Sequence, residues 1–344
     1  MVPQASQPPQ PLSLNDLLRQ HCHDRLYVKP LHWTARHLQL LKCRFVRRQR
    51  TPQPASSSQG RLSLSSESEQ PREDSKVDNG QDIRIQKAVY RLAYGDCMMD
   101  KQWGLEALLE TFSNGHTVTS LSDSLDFYYA GRPVARLPCP VFGRVIDNTP
   151  TPFLAYVDHT EIARSRENSI KAHSGNLPSG RIRKIILSRL QPTNIDLDPY
   201  LAGVLIALAQ AQWYARSGNT TALLSSHTVY LLVTNYNEKG FSLRLYTATV
   251  TAAFLRKFNQ PSVFLDSSLI ICHTRIPLRS ISHLKSEITA MVETLEVSKK
   301  RLREPSIIID YGACKRRRNQ RDRSNNIGGE PRKIPKNLIV SVGG

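Results

Sequence analysis

Apolar residues in the second half of the chain follow patterns typical of buried elements. From Tyr200 to Arg216 nearly every position is apolar, and Asp198 followed by Pro199 is typical of a helix start. A helix that is apolar on all sides has no face suited to water, so this one is predicted to lie at the centre of a domain. Gly218 and Asn219 are typical of its end.

The segments that follow alternate between strand and helix patterns. Apolar and β-branched runs of moderate length predict strands, and apolar residues spaced three and four apart predict helices. The predicted segments are a strand from Thr228 to Tyr236, a strand from Phe241 to Val250, a helical segment from Thr251 to Phe258, a strand from Ser268 to Pro277, a helix from about Ser282 to Leu302 and a strand from Ser306 to Tyr311. The Asn-Glu-Lys-Gly sequence between the first two strands predicts an antiparallel hairpin.

From Asp198 onward the main elements therefore run helix, strand, strand, strand, helix, strand. The hairpin within this order favours an α+β fold, a single body with a mixed or antiparallel sheet packed on helices, over a doubly wound parallel sheet. Residues 83–112 show helical spacing interrupted at Gly95. Residues 113–197 contain several prolines and are predicted to form short strands and ordered loops.

Composition divides the chain into three parts. Residues 1–82 are predicted to be a largely disordered N-terminal region, although an amphipathic, acid-poor stretch from Leu12 to Arg50 is compatible with a helix. Within that region, residues 51–82 form an acidic, serine-rich linker with almost no large apolar side chains, which cannot offset the entropy cost of folding. The α+β body is predicted to span 83–312, and 313–344 to be a disordered basic tail.

Charge is concentrated at the two ends of the chain. The chain holds 47 Lys and Arg against 29 Asp and Glu, a formal net charge of +18. Residues 1–50 contribute +7 and residues 299–344 contribute +9, so the long central part is close to neutral. An excess of this size favours polyanionic partners. Cations at the ends predict salt-sensitive, sequence-independent affinity for nucleic acid.

Two basic clusters near the C-terminus resemble a bipartite nuclear localisation signal, because each cluster can occupy its own acidic groove of an importin. The clusters comprise Lys299, Lys300, Arg301 and Arg303, then Lys315, Arg316, Arg317 and Arg318. They predict a nuclear protein with an importin as partner, with the cytoplasm as the alternative location. Mitochondrial import is disfavoured because the first dozen residues carry four prolines and no positive charge. The alternative role of the clusters is to end a helix and to solvate a tail.

The sequence contains no familiar constellation for catalysis or cofactor binding. The G-x-S-x-G, G-x-x-x-x-G-K-[ST], G-x-G-x-x-G and H-E-x-x-H motifs are absent, so no catalytic residue and no cofactor is assigned. The histidines and cysteines between His21 and Cys43 lack the paired spacing of a zinc site, so no metal is assigned either. The six cysteines are scattered, which predicts free thiols. No apolar run is long enough to span a membrane.

The predicted element order is also that of the PD-(D/E)XK nuclease fold. Such a nuclease needs an Asp on the second strand and Glu-x-Lys on the third, to hold Mg²⁺ and assist a water. Neither predicted strand contains an acidic residue, so a related copy would be degenerate. A hydrolase whose acids converge only in three dimensions stays open, with Asp196, Asp198, Glu238 and Asp266 as candidates. A third possibility is a protein-interaction scaffold that uses the last helix.

Three stretches, Asp198 to Gln210, Leu245 to Ala248 and Arg275 to Pro277, resemble a group of uncharacterised proteins from filamentous ascomycete fungi. The resemblance covers roughly residues 198–297 and implies no activity, cofactor or site. The sequence therefore predicts an intracellular, nuclear, non-catalytic binding protein with polyanion or nucleic-acid affinity through its basic ends. It does not define an oligomeric state.

Overall fold

A computed structural model describes residues 12–24, 26–48, 79–113, 117–146, 149–170, 177–216, 226–237, 240–278 and 280–303. These residues contain nine helices and seven strands. The helices are α1 (Leu14–Gln20), α2 (Ala35–Leu41), α3 (Asn79–Tyr94), α4 (Met98–Phe112), α5 (His159–Ser169), α6 (Leu177–Leu190), α7 (Pro199–Arg216), α8 (Ala252–Asn259) and α9 (Ile281–Arg303). The strands are β1 (Cys43–Arg47), β2 (Thr119–Tyr129), β3 (Arg132–Ile146), β4 (Thr149–Asp158), β5 (His227–Asn237), β6 (Gly240–Val250) and β7 (Leu269–Ile276).

All seven strands join one mixed sheet in the order β1-β7-β6-β5-β4-β3-β2. The pairs β1/β7 and β4/β5 are parallel, and the other four pairs are antiparallel. The α+β class predicted from the sequence is therefore confirmed. The hairpin is also confirmed, because β5 and β6 pair from His227 opposite Val250 to Asn237 opposite Gly240. These elements lie in a compact unit, residues 1–301; of the second unit, residues 302–344, the structure describes only the last two residues of α9.

The apolar helix predicted at the centre of the domain is α7, which packs on the sheet at β2, β4 and β5. Its residues from Tyr200 to Gln210 are all buried. The buried amide of Gln210 is satisfied because it exchanges two 2.9 Å hydrogen bonds with the backbone of Tyr128 in β2. On the opposite face of the sheet a second apolar cluster includes Leu92 of α3, Leu105 of α4 and Leu284 of α9. The sheet is thus covered by helices on both faces.

The prediction for residues 113–197 is wrong in its element lengths. The structure has three long strands, β2, β3 and β4, and two helices, α5 and α6, where short strands and loops are expected. Prolines misled the prediction because they cannot donate to a ladder, but here they coincide with irregular pairing. Pro133, Pro138 and Pro152 each pair beside a register shift, where the ladder is already interrupted.

The N-terminal stretch also differs from the expectation that residues 1–82 are largely disordered, because the described residues 12–24 and 26–48 are folded. They form α1, α2 and β1 instead of one helix, and β1 pairs with β7. Trp33 and Leu41 lie in the core beside α7. Gly203 of α7 faces this segment so closely that an added Cβ would lie 2.6 Å from the Cβ of Pro30. A few apolar side chains anchor the stretch to the core. The composition of residues 1–82 as a whole does not show this, because the linker at 51–82 is strongly polar.

A candidate anion-binding site on the sheet

Three arginines meet on one face of the sheet, on the neighbouring strands β1, β7 and β6. Residues two apart in a strand point to the same face, so Arg47, Arg244 and Arg275 share the face that carries Phe45 and Tyr246. Arg244 and Arg275 are directly opposite one another in the antiparallel β6/β7 pair. We call Arg47, Arg244 and Arg275 the arginine cluster.

The arginine cluster surrounds a recess of about 480 Å³. The turn of 3-10 helix at Ile195–Leu197, just before α7, forms one side of it. Besides the arginines, the lining consists of Phe45, Asn194, Asp196, Leu197 and His273. A volume of this size is in the range of small-ligand pockets, which span about 300–1,000 Å³.

Asp196 supplies the one carboxylate in the lining. Its Oδ1 lies 2.5 Å from Nε of Arg244. The two groups form an ion pair, but the angles between them are not those of a hydrogen bond. The backbone N–H of Asp196 donates to Oδ1 of Asn194 over 3.0 Å, and the hydroxyl of Tyr246 donates to its carbonyl oxygen over 2.9 Å. The turn that carries Asp196 is therefore held by its own neighbour Asn194 and by Tyr246 of β6.

The remaining arginines of the cluster keep their charge uncompensated within the described part of the chain. No described carboxylate lies within ion-pair distance of Arg47 or Arg275, and both residues are exposed. Like charges directly opposite one another in a β-sheet repel, as Arg244 and Arg275 do here. One carboxylate against three guanidinium groups leaves a local excess of two positive charges. A bound anion would relieve the repulsion.

His273 forms part of the floor of the recess, next to Arg47 in the β1/β7 register. It is 7% exposed, and its ring stacks on Tyr246 with centroids 5.5 Å apart. Burial lowers its pKa, the charges of Arg244 and Arg47 lower the pKa further, and Asp196 opposes them. The imidazole is therefore neutral at pH 7. Its buried Nδ1 has no hydrogen-bond partner in the described residues.

A buried ion pair supports the turn beside the recess. Nη1 and Nη2 of Arg166 in α5 lie 2.8 and 2.6 Å from the two carboxylate oxygens of Asp198. Asp198 also accepts from the backbone N–H of Tyr200 over 2.9 Å, which confirms its predicted place as the N-cap of α7. The Nε of Arg166 donates to the carbonyl oxygen of Leu31 over 3.0 Å. This pair joins α5, α7 and the N-terminal segment.

A second buried polar group lies at the end of β4. One carboxylate oxygen of Asp158 accepts from Nζ of Lys101 over 2.7 Å and from the hydroxyl of Thr234 over 2.6 Å. The other oxygen accepts from the backbone N–H of Thr160 over 2.8 Å and from its hydroxyl. Both oxygens of Asp158 are thus occupied by neighbours that hold it in place, so this group is structural.

The basic residues singled out in the sequence are not among the described side chains that line the recess. Lys299, Lys300, Arg301 and Arg303 lie on the last turns of α9, where the structure describes the backbone only. Lys315, Arg316, Arg317 and Arg318 lie outside the described residues, as does the strand predicted from Ser306 to Tyr311. The localisation signal therefore stays a prediction.

The candidate nuclease acids do not gather in one cleft within the described residues. Asp196 and Asp198 each pair with an arginine, Asp266 pairs with Lys42 over 2.6 Å on an exposed surface, and Glu238 lies outside those residues. No group of three or more His, Cys, Asp or Glu is placed to hold a metal ion in the described ranges. The neighbouring positions on β6 and β7 that face the recess are instead basic, namely Arg244, His273 and Arg275.

Sequence reasoning missed the arginine cluster because its members come from three distant segments. The one usable signal was local: Arg244 and Arg275 share a face with buried apolar residues of their own strands, where a charged side chain is unusual. In the part of the chain that the structure describes, no helix combines the length and apolar character needed to cross a bilayer. Comparison with protein-family models, with curated proteins and with solved structures finds no match to this chain, so its function is inferred from its own residues.

Proposed function

We propose that this protein is a non-catalytic binding protein for phosphate-bearing polyanions, with nucleic acid as its ligand. The observation that carries the proposal is the arginine cluster, three guanidinium groups on neighbouring strands, of which only that of Arg244 is paired with a carboxylate in the described part of the chain. The recess thus has the charge of an anion site and the shape of a binding site.

Arginine is the side chain best suited to this role. Its planar guanidinium presents paired N–H donors that match two oxygens of a phosphate, and it stays charged at any physiological pH. The cluster sits on rigid strands, since neighbouring strands of a sheet are about 4.8 Å apart and their positions are held by the ladder. The ladder therefore fixes the spacing of the three arginines along the sheet, while the exposed side chains of Arg47 and Arg275 are ordered only by the ligand.

The basic ends extend the charge of the cluster along a polyanion. Residues 299–344 carry +9 of the net charge, and residues 1–50, which include Arg47 of the cluster, carry +7. Binding of such ends to phosphates releases counterions, which strengthens binding at low salt without reading sequence. The proposal therefore has two parts: a shaped site in the body and general attraction from the ends.

The triple variant Arg47→Gln, Arg244→Gln and Arg275→Gln tests the site. We expect it to bind a labelled 20-nucleotide DNA at least about 10-fold more weakly than the full wild-type chain, because the loss of even one charge-assisted hydrogen bond costs about 1.5–3 kcal/mol, while the basic ends retain part of the affinity. The slope of log K against log salt should fall by about one for each phosphate that the variant no longer neutralises. Fluorescence anisotropy across a salt series measures both.

The matched control replaces Arg84, Arg91 and Arg132, which are exposed and lie outside the recess, by Gln. It changes the net charge by the same amount, so it should weaken binding by a small factor only. If both triple variants show the same fall in affinity, binding depends on overall charge and the arginine cluster is not the site.

Nuclear import is a separate part of the proposal. A fluorescent fusion with alanine at Lys299, Lys300, Arg301, Arg316, Arg317 and Arg318 should lose the nuclear concentration of the wild-type fusion, because both halves of a bipartite signal are removed. The measurement is the ratio of nuclear to cytoplasmic fluorescence. An unchanged ratio would remove these residues as the signal.

A further inference from the structure

We infer that the recess admits one unpaired nucleotide of a single-stranded nucleic acid, with its phosphate on the arginine cluster. This inference rests on the proposed function and narrows it, because the depth and the lining of the recess select a flexible strand over a duplex.

Depth is the first observation. The deepest charged group, Arg244, has a side chain only 17% exposed, and His273 beside it is 7% exposed. A duplex presents its phosphates on a rigid, convex surface. Such phosphates can contact the exposed Arg47 and Arg275, but they cannot enter the recess to contact Arg244. A single strand can turn one nucleotide out of its stack and place it inside a concave site.

The apolar lining is the second observation. Phe45 and Leu197 face the recess next to the cations. The ring of Phe45 contacts that of Tyr246 edge to face, with centroids 6.0 Å apart, so its orientation is set by the core. Nonspecific single-strand sites combine a basic groove with aromatic side chains on which bases stack. An inorganic anion has no apolar part to place against these side chains.

Unused hydrogen-bonding capacity is the third observation. The amide of Asn194 uses its oxygen to cap the turn, as the acceptor from Asp196, which leaves its N–H groups for a ligand. Asn194 is exposed, so these N–H groups can donate to the acceptors on the edge of a nucleobase.

The experiment compares a 20-nucleotide single strand with its duplex, using the full chain at one salt concentration. We expect the single strand to bind about tenfold more tightly. Phe45→Leu, which keeps an apolar side chain on the sheet, should weaken single-strand binding about 5- to 100-fold, the range found for removal of one base–aromatic stack. Duplex binding should change by less than about twofold. The control Phe264→Leu, at an exposed phenylalanine outside the recess, should leave both affinities unchanged.

Competition completes the test. A nucleoside monophosphate should displace the single strand from the wild-type chain better than inorganic phosphate does, and Phe45→Leu should abolish that difference. Equal binding of single strand and duplex, with the arginine dependence intact, would overturn the inference and leave the proposed function standing. Displacement by polyglutamate as effective as by the nucleotide would also overturn it. Absence of nucleic-acid binding by the wild-type chain would remove both.

Discussion

Replacing Arg166 by Met is expected to lower the free energy of unfolding by about 3–5 kcal/mol, because it leaves the carboxylate of Asp198 buried without its counter-ion. Both side chains are almost fully enclosed, at 5% and 2% exposure, and the pair is bidentate. Methionine keeps most of the volume, so the destabilisation reports the charge and not a cavity. Urea denaturation followed by circular dichroism measures it.

The double variant Arg166→Met with Asp198→Asn separates the interaction energy of the Arg166–Asp198 pair from the contributions of the two single side chains. Asparagine is also an N-cap residue, so it can continue to cap α7 while removing the stranded charge. The double variant should therefore be more stable than the sum of the two single effects predicts. A decrease below about 1 kcal/mol for Arg166→Met alone would mean that the pair behaves like an exposed one.

Replacing Asp158 by Asn should also destabilise the fold, by about 2–4 kcal/mol, because it leaves the half-buried ammonium of Lys101 without its counter-ion. The two side chains are 3% and 16% exposed and lie 2.7 Å apart. Adding Lys101→Met should restore part of the stability, since no charge is then left without its counter-ion. The measurement is again chemical denaturation, with the unfolding slope checked for a change in the native state.

The acid side of the stability curve gives an independent readout for Asp158. Burial alone would raise its pKa, but hydrogen bonds from Lys101, Thr160 and Thr234 outweigh burial and hold the pKa below its ordinary value of 3.8. Its contribution is present above pH 3.8 and is lost as the pH falls through the lower, folded-state pKa. Asp158→Asn should lack this part of the acid transition. Identical curves below pH 4 would contradict the role assigned to Asp158.

The second half of the fold follows closely from the sequence. The bounds of α7, β5, β6, α8, β7 and α9 differ from the predicted ones by no more than one or two residues. These elements carry continuous apolar patterns with clear stops, so local physics is enough to place them. Between residues 113 and 197 local signals misled, because prolines that normally end strands coincide with bulges that only strand pairing creates.

The arginine cluster could not be predicted from local sequence patterns, because it too depends on strand pairing. Arg244 and Arg275 become neighbours through the β6/β7 register, and Arg47 joins them only because β1 pairs in parallel with β7. A slip of one residue would turn an arginine to the opposite face. The charge at the chain ends can be read from the composition, but the arginine cluster forms only through pairing between distant segments.

The pairing of β1 with β7 also determines when the recess can form during synthesis. Residues 43–47 can pair only with residues 269–276. The sheet is therefore incomplete until nearly all of residues 1–276 have left the ribosome. Pairing between such distant segments slows folding, because a long loop must close before they meet. Incomplete nascent chains therefore lack the recess. The binding proposed for the recess would therefore be limited to molecules whose body is fully synthesised and folded.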